Sequence, residues 1–333
     1  MISKVLTKVL TAGALVLALA LSGCGEGHTV PSGQEEQGGA AMETEFTVDT
    51  PIQTVMDDPV FDNYGRLLFP VDAGYWSGET LGDLRLTYYS HIDPDETVEI
   101  VNTLKERALA GETIFYDIYT EEEKAADPDK EDTGLFFFKG DPGARFAVCN
   151  AGGAFAYVGA MHDSFPHALE LSKQGYNAFA LIYRPGAQTA CEDLARAITF
   201  IFDHAEELEV DTSCYSLWGG SAGARMAAWL GTYGPAAFGG DDLPQPGAVI
   251  MQYTGLSEYS ESDPPTYACV GDRDGIANWR VMQARIEAMQ QAGIDTEFHV
   301  YSGLGHGFGL GTGTSAEGWI NDAVAFWEQQ MKK

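Results

Sequence analysis

The feature that most constrains the fold is a regular alternation, from Leu135 onward, of short apolar runs with longer amphipathic segments. Continuous apolar strands between helices are typical of a parallel sheet that is covered on both faces. The sequence therefore predicts an α/β fold with a mostly parallel central sheet, helices on both faces and an N-terminal extension. The predicted strands lie near residues 135–138, 146–149, 178–183, 215–218, 248–253, 267–270 and 297–301. The predicted helices lie near residues 162–174, 190–208, 222–230, 278–292 and 316–330.

The first 23 residues have the pattern of a secretory signal peptide. Lys4 and Lys8 precede an apolar run that is too short to span a membrane comfortably. The run ends in Leu21-Ser22-Gly23-Cys24, which resembles the bacterial lipobox, in which the Cys is lipidated and becomes the mature N-terminus. We predict a lipid anchor at Cys24 and an extracytoplasmic, membrane-anchored lipoprotein. The alternative is a plain secretory signal that happens to contain a Cys.

The rest of the chain divides into three predicted parts. Residues 24–50, rich in Gly, Glu, Gln and Ser, are predicted to be a flexible tether. Residues 51–134 form an N-terminal extension, a candidate cover for the site, with one clear helix between the predicted N-cap Asp93 and Gly111. Residues 135–333 are the predicted core.

Charge and cysteine usage exclude several kinds of partner. The chain has 49 Asp and Glu against 19 Lys and Arg, a net charge of −30, which disfavours nucleic acid and anionic lipid surfaces. Beyond Cys24 there is no C-x-x-C or Cys/His spacing, so we expect no structural metal. Disulfides are possible outside the cytoplasm, but the sequence does not give their connectivity. The remaining cysteines are Cys149, Cys191, Cys214 and Cys269.

A sharp turn joins a predicted strand to a predicted helix at Gly219-Gly220-Ser221-Ala222-Gly223. In such a G-x-S-x-G turn, side chains at the two outer positions would clash, and Gly219 and Gly223 avoid this. The Ser hydroxyl is then presented at the carboxyl end of the sheet. Ser221 is therefore the candidate nucleophile.

A serine needs a base, and the base needs an acid that fixes its tautomer. Of the seven His residues, His306 stands out because it lies in a Gly-rich loop after the last strand. Two carboxylates, Asp272 and Asp274, follow the preceding strand, and we favour Asp274 because it lies further out on the loop. The order Ser221, Asp274, His306 is the order of the α/β-hydrolases.

Attack on a carbonyl also needs N–H donors that stabilise the oxyanion. The small residues of the loop 150–155 let the backbone approach a substrate closely. Gly153, Ala154 and the residue after the nucleophile, Ala222, are the candidate donors.

These motifs together resemble the acetyl-esterase and hormone-sensitive-lipase-like branch of the α/β-hydrolases, which includes bacterial xylan and feruloyl esterases. Ala151-Gly152-Gly153-Ala154-Phe155 corresponds to the family's His-Gly-Gly-Gly-Phe loop, with Ala in place of the His and of the third Gly. The other matching motifs are Tyr183-Arg184-Pro185, Asp193 with Ala197, Gly219-Gly220-Ser221-Ala222-Gly223, Gly271-x-x-Asp274 and His306-Gly307-Phe308. The resemblance covers roughly residues 135–330, supports Asp274 over Asp272, and implies ester hydrolysis without a cofactor.

We therefore expect a serine carboxylesterase that acts on short-chain acyl esters through an acyl-Ser221 intermediate. Its expected partner is a small-molecule or oligosaccharide ester, with acetyl groups on carbohydrates as a candidate. Phe155 and Tyr157 are candidates for narrowing the acyl side, and Trp279 for stacking on a sugar. The alternatives are a serine peptidase on the same fold and a non-catalytic, ligand-binding surface lipoprotein.

Overall fold

The computed structural model of the chain describes residues 45–72 and 74–333. The predicted signal peptide 1–23, the predicted lipidation site Cys24 and most of the predicted tether lie outside these residues. Residues 45–333 form one compact unit. Within them, no helix is both long enough and apolar enough to cross a bilayer.

An eight-stranded sheet is the centre of this unit, with the strand order β10-β9-β8-β7-β5-β6-β4-β3. From β5 to β10 the neighbouring strands are parallel, and β4 and β3 are antiparallel additions at one edge. This confirms the predicted fold class. The strands of this sheet are β3 Phe115–Tyr116, β4 Gly134–Phe138, β5 Arg145–Asn150, β6 Asn177–Ile182, β7 Asp211–Gly220, β8 Ala248–Gln252, β9 Thr266–Gly271 and β10 Thr296–Tyr301. A separate two-stranded ribbon consists of β1 Trp76–Ser77 and β2 Arg85–Leu86.

Helices connect most of these strands. The predicted helix near 162–174 is divided at Ser164 into two helices, α4 and α5. The α-helices of the described residues are α1 Ile52–Met56, α2 Pro94–Leu109, α3 Glu121–Ala126, α4 Ala160–Asp163, α5 Phe165–Lys173, α6 Ala187–Asp203, α7 Ala222–Tyr233, α8 Trp279–Gln291 and α9 Trp319–Gln330. Short 3-10 helices cover Pro59–Leu68, Pro128–Asp132 and Pro235–Phe238.

The strand order places a switch point between β5 and β7. The chain goes from β5 to its neighbour β6 and then crosses to the opposite side of β5 to form β7. In open α/β sheets, ligands bind outside the carboxyl ends of the strands at such a point. Asn150, the last residue of β5, pairs with Gly219 of β7. The fold thus brings the loop after β5 and the turn after β7 side by side.

The N-terminal extension is part of the same packed body. Strand β3 pairs with β4, so the sheet itself begins before residue 134, the predicted boundary of the core. At the other end, Phe46 is buried and its backbone N–H donates to the side chain of Asn102. Packing therefore starts several residues before position 50, the predicted end of the tether.

The cysteines of the core are free thiols in the described part of the chain. Cys149 lies on β5 and Cys269 on β9, and both are buried among apolar side chains. Burial also raises the pKa of both thiols, which keeps them protonated and unreactive. They act as small core residues, as their strand-like surroundings in the sequence predict.

Candidate active site

The turn between β7 and α7 holds Ser221 in a strained conformation. Its backbone angles φ and ψ are 52° and −112°, a conformation that residues other than glycine rarely adopt. A Cβ at Gly219 would lie 2.3 Å from the carbonyl carbon of Gly223, and a Cβ at Gly223 would lie 2.0 Å from the carbonyl oxygen of Asn150. The tight turn therefore requires Gly at both positions, as the motif predicts, and it projects the Ser221 hydroxyl away from the sheet.

A continuous chain of hydrogen bonds joins the three residues that the sequence suggests as a catalytic set. Nε2 of His306 lies 2.9 Å from Oγ of Ser221, and Nδ1 of His306 lies 2.8 Å from Oδ2 of Asp274. The side chain of His306 is only 6% exposed and that of Asp274 is fully buried. A neutral imidazole with its proton on Nδ1 can donate to Asp274 and accept from Ser221, the arrangement that general-base catalysis requires.

The structure also separates the two candidate carboxylates. Oδ1 of Asp274 accepts the backbone N–H groups of Ile276 and Ala277, both at 2.7 Å, which leaves Oδ2 to face the imidazole. Asp272 is exposed and instead accepts the N–H of Gly303 at 2.7 Å. Asp272 therefore stabilises the neighbouring loop, whereas Asp274 contacts His306.

The loop after β5 presents free donors beside the serine. Gly153 and Ala154 both have positive φ, 129° and 57°, and a Cβ at Gly153 would lie 2.1 Å from the carbonyl oxygen of Tyr157. Within the described residues, no hydrogen bond occupies the N–H of either residue. Ala154 and Ala222, the first residue of α7, both line the cavity at Ser221. Ala154 thus adopts the left-handed conformation that the family's Gly would adopt more easily.

A buried carboxylate, Asp163, supports this loop, and the sequence analysis did not single it out. Oδ2 of Asp163 accepts the N–H of Gly152 at 2.6 Å and the hydroxyl of Tyr89 at 3.0 Å, and Oδ1 accepts the hydroxyl of Tyr253 at 2.6 Å. Burial, followed by the charge of Asp163, raises the pKa of both Tyr residues well above the usual value, so both remain donors. The sequence does not reveal this role, because nothing in the residues next to Asp163 indicates that three donors from other segments will meet its carboxylate.

Removing the Asp163 carboxylate is expected to destabilise the protein. In Asp163→Ala, the N–H of Gly152 and two Tyr hydroxyls lose their acceptor in a buried environment, and each such loss costs about 1–3 kcal/mol. We expect the free energy of unfolding to fall by about 3 kcal/mol or more, as measured by urea denaturation. Asp203→Ala, which removes an exposed carboxylate at the end of α6, is the matched control. Equal urea midpoints for the two variants would contradict a stabilising role for Asp163.

The serine opens into a cavity of about 250 Å³. The lining residues are Ala154, Phe155, Ser221, Ala222, Arg225, Tyr253, Thr254, Gly255, Ile276, Ala277 and His306. Phe155 takes part, as predicted, and stacks on Trp229 with a ring separation of 6.2 Å. The other two aromatic side chains that the sequence suggested, Tyr157 and Trp279, do not line this cavity, so the structure gives their predicted roles no support. The hydroxyl of Tyr157 donates to the carbonyl of Thr87. The ring of Trp279 stacks under the guanidinium of Arg280, whose central carbon lies 4.2 Å from the ring centre.

The N-terminal extension supports the histidine loop from the side. The N–H of Ser90 lies 2.9 Å from the carbonyl oxygen of His306 and 3.1 Å from that of Gly307. A Cβ at Gly307 would lie 2.7 Å from the carbonyl oxygen of Tyr88, so the two segments are in close contact. Among the described residues of the extension, none lines the cavity. Its observed contribution is thus to hold the loop that carries His306.

No cluster of His, Cys, Asp and Glu suitable for a metal ion is found in residues 45–72 and 74–333. The groups that the structure joins at the cavity are instead Ser221, His306 and Asp274, through hydrogen bonds. This set can deprotonate the hydroxyl of Ser221, and the free N–H donors beside it can stabilise an oxyanion. Together with the sheet topology, it defines the class of protein as an α/β-hydrolase with a serine at the nucleophile position.

Comparison with known proteins agrees with this class. Residues 142–291 match the family model BD-FAE, a hormone-sensitive-lipase-like esterase family. This match, which lies within the predicted core, agrees with the α/β-hydrolase fold that the sequence motifs predict. A search of curated proteins gives no significant match.

Solved structures share the fold at low sequence identity. An acetyl ester-xyloside bifunctional hydrolase from Caldicellulosiruptor lactoaceticus is 18% identical, with a TM-score of 0.55 over 65% of this chain and 95% of that protein. The propionate-bound esterase Est2 from Thermogutta terrifontis is 22% identical, with a TM-score of 0.52 over 59% and 89%. MGS-M1, an α/β-hydrolase enzyme from a Medee basin deep-sea metagenome library, is 19% identical, with a TM-score of 0.51 over 60% and 93%.

Proposed function

We propose that the protein is a serine carboxylesterase that hydrolyses short-chain acyl esters through an acyl-Ser221 intermediate. The observation that carries this proposal is the hydrogen-bonded chain from Ser221 through His306 to Asp274 at the mouth of a cavity. His306 removes the proton of Ser221 as its oxygen attacks the ester carbonyl. The N–H groups of Gly153, Ala154 and Ala222 stabilise the oxyanion that forms.

The second half of the reaction uses the same groups. The protonated His306 gives its proton to the departing alcohol, which leaves the acyl group on Ser221. His306 then takes a proton from a water molecule, whose oxygen attacks the acyl carbonyl. Collapse of the second oxyanion releases the carboxylic acid and returns the proton from His306 to Ser221. Asp274 holds the imidazole in one orientation throughout and stabilises its positive charge.

We favour short acyl groups as substrates of this site. The cavity has a volume of only about 250 Å³, and Phe155, Ile276 and Ala277 line its walls. The propionate bound to the Thermogutta esterase and the acetyl ester in the name of the Caldicellulosiruptor hydrolase agree with a small acyl group. An acetyl group on a carbohydrate remains our candidate for the natural substrate.

A series of 4-nitrophenyl esters tests the acyl preference. We expect kcat/KM to fall at least tenfold from the acetyl or butyryl ester to the octanoyl ester, since each methylene that fits or fails to fit changes the barrier by about 1–3 kcal/mol. Initial rates from acetyl to dodecanoyl esters measure this. A maximum at long chains would identify a lipase, and cleavage of peptide amides without cleavage of simple esters would identify a peptidase.

We further propose that Cys24 carries a lipid and anchors the protein outside the cytoplasm. The support is the apolar run of the leader followed by Leu21-Ser22-Gly23-Cys24. Metabolic labelling with a fatty acid in a bacterial host should label the wild type and not Cys24→Ala. Equal labelling of both proteins would contradict the anchor and leave the proposed esterase function unaffected.

A further inference from the structure

The catalytic cavity is lined by a cationic side chain, that of Arg225, which the proposed mechanism does not use. Arg225 lies on α7 one turn after Ser221, and its backbone N–H donates to the carbonyl of Ser221 at 3.2 Å. Its side chain lines the same cavity as Ser221 and His306. A Cβ at Gly255, on the opposite wall, would lie 4.0 Å from Nη2 of Arg225. The guanidinium therefore lies between the serine helix and the loop after β8.

Arg225 forms no ion pair in the described part of the chain. Its guanidinium makes no hydrogen bond or ion pair there and lies 5.9 Å from the ring centre of Trp229. The two most buried arginines are paired, Arg184 with Asp193 at 2.7 Å and Arg285 with Asp263 at 2.6 Å. Other arginines of the described residues, such as Arg85 and Arg273, also form no ion pair, but Arg225 lies inside the catalytic cavity, where its guanidinium can meet a substrate.

The surroundings of Arg225 hold it in place without neutralising it. Trp229, which it covers, is itself stacked on Phe155 with an angle of 8° between the rings, and Phe155 also lines the cavity. No Asp or Glu is among the residues that line the cavity. The nearby Glu258 is exposed and forms no ion pair with Arg225. Hydrogen bonds from backbone N–H groups lower its pKa, and the charge of Arg225 lowers it further. The five donors of the guanidinium thus remain available to a ligand.

We propose that Arg225 is a specificity-determining residue that binds a carboxylate of the substrate. The inference rests on the proposed function and narrows the substrates to esters that carry an anionic group close to the scissile bond. A planar guanidinium binds a carboxylate through two parallel hydrogen bonds, and this geometry fixes the orientation of the ligand. Acylated acidic sugars and half-esters of dicarboxylic acids both meet this requirement, and they differ in whether the carboxylate is on the alcohol or on the acyl side.

Two matched substrate pairs distinguish these sides. For the alcohol side, 4-acetoxybenzoate is compared with phenyl acetate, and for the acyl side, mono-(4-nitrophenyl) glutarate is compared with 4-nitrophenyl valerate. In at least one pair, Arg225→Gln should lower the anionic-to-neutral ratio of kcat/KM by about 10- to 100-fold, the usual effect of a charge-assisted hydrogen bond. Arg225→Lys should lower it less, because the charge remains but the bidentate geometry is lost.

Arg280→Gln is the matched control. Arg280 also stacks on a Trp and carries the same charge, but it is exposed and does not line the cavity. Its substitution should change either ratio by less than about twofold, since exposed charges are screened. Equal ratios in the wild type and Arg225→Gln for both pairs would overturn the inference.

A binding measurement separates this inference from the proposed function. The variant Ser221→Ala cannot hydrolyse an ester. Titration calorimetry of this variant with 4-acetoxybenzoate and with glutarate therefore measures the affinity of the cavity for each ligand. The double variant with Ser221→Ala and Arg225→Gln should bind one of these ligands at least tenfold more weakly. Wild-type protein that cleaves no ester would overturn the proposed function. The calorimetry would still test whether Arg225 binds a carboxylate. Unchanged binding of both ligands would overturn the role of Arg225 while the esterase proposal stands.

Discussion

Ser221→Ala is expected to lower kcat for ester hydrolysis roughly 10⁶-fold, the usual loss when a serine nucleophile is removed. Without its oxygen, no acyl-enzyme can form, and only direct attack of water beside the oxyanion donors remains. Assays of 4-nitrophenyl acetate hydrolysis at saturating substrate measure the decrease in kcat. A fluorophosphonate probe should label the wild type and not the variant. Ser260→Ala removes a half-buried hydroxyl that hydrogen-bonds with Ser262 and does not line the catalytic cavity; it is the control and should retain full activity.

The effects of Ser221 and His306 are expected to be strongly non-additive. Nε2 of His306 acts through the hydroxyl of Ser221, which lies 2.9 Å away. His306→Ala in the Ser221→Ala background should therefore cost little more than Ser221→Ala alone. Full esterase activity of Ser221→Ala, or labelling of that variant by the fluorophosphonate, would show that another residue is the nucleophile.

The second large effect is expected for Asp274→Asn, with kcat lowered roughly 10⁴-fold. The backbone N–H groups of Ile276 and Ala277 hold Oδ1 of the carboxylate, so the amide oxygen of Asn should take that position. The amide NH₂ would then face Nδ1 of His306. A donor at that place stabilises the tautomer with its proton on Nε2, which cannot accept the proton of Ser221.

Asp272→Asn is the matched control, two residues earlier on the same loop. Its carboxylate accepts from the N–H of Gly303 at 2.7 Å and from the hydroxyl of Ser302 at 3.3 Å, and it does not contact His306. We expect a change in kcat of less than about tenfold, caused by loss of loop hydrogen bonds worth about 1 kcal/mol each. Profiles of kcat against pH for both variants measure the difference. A larger loss in Asp272→Asn than in Asp274→Asn would show that the wrong carboxylate was selected.

The core of the fold could be predicted because its signals are local. All seven predicted strands are present, and most of them are continuous apolar runs because they are buried on both faces of the sheet. The strand that carries Ser221 extends two residues beyond the predicted end, to Gly220, because glycines have no apolar signal. The relative positions of Ser221, Asp274 and His306 also follow from local signals, because loops at the carboxyl ends of parallel strands meet at one edge of the sheet.

The N-terminal extension could not be predicted in the same way. Its strands β1, β2 and β3 have two residues each, which is too short for a detectable alternation of apolar and polar residues. Only the pairing of β3 with β4 shows that the extension belongs to the central sheet. Likewise, Tyr157 and Trp279 were assigned to the site because they follow site loops in sequence. Their side chains point elsewhere because the direction of a loop side chain depends on neighbours that are distant in the chain.

The sequence by itself determined the α/β topology, the need for Gly219 and Gly223, and the set Ser221, Asp274 and His306. Each of these follows from the residue types within a few positions of one strand end. Only the tertiary structure decided that Asp163 joins the oxyanion loop to Tyr89 and Tyr253, and that Arg225 lies in the cavity without an ion pair to any described residue. The physical reason is that Asp163 meets Tyr89 and Tyr253 across 74 and 90 residues of sequence, and that the surroundings of Arg225 are set by the packing of separate segments; neither leaves a local pattern in the sequence.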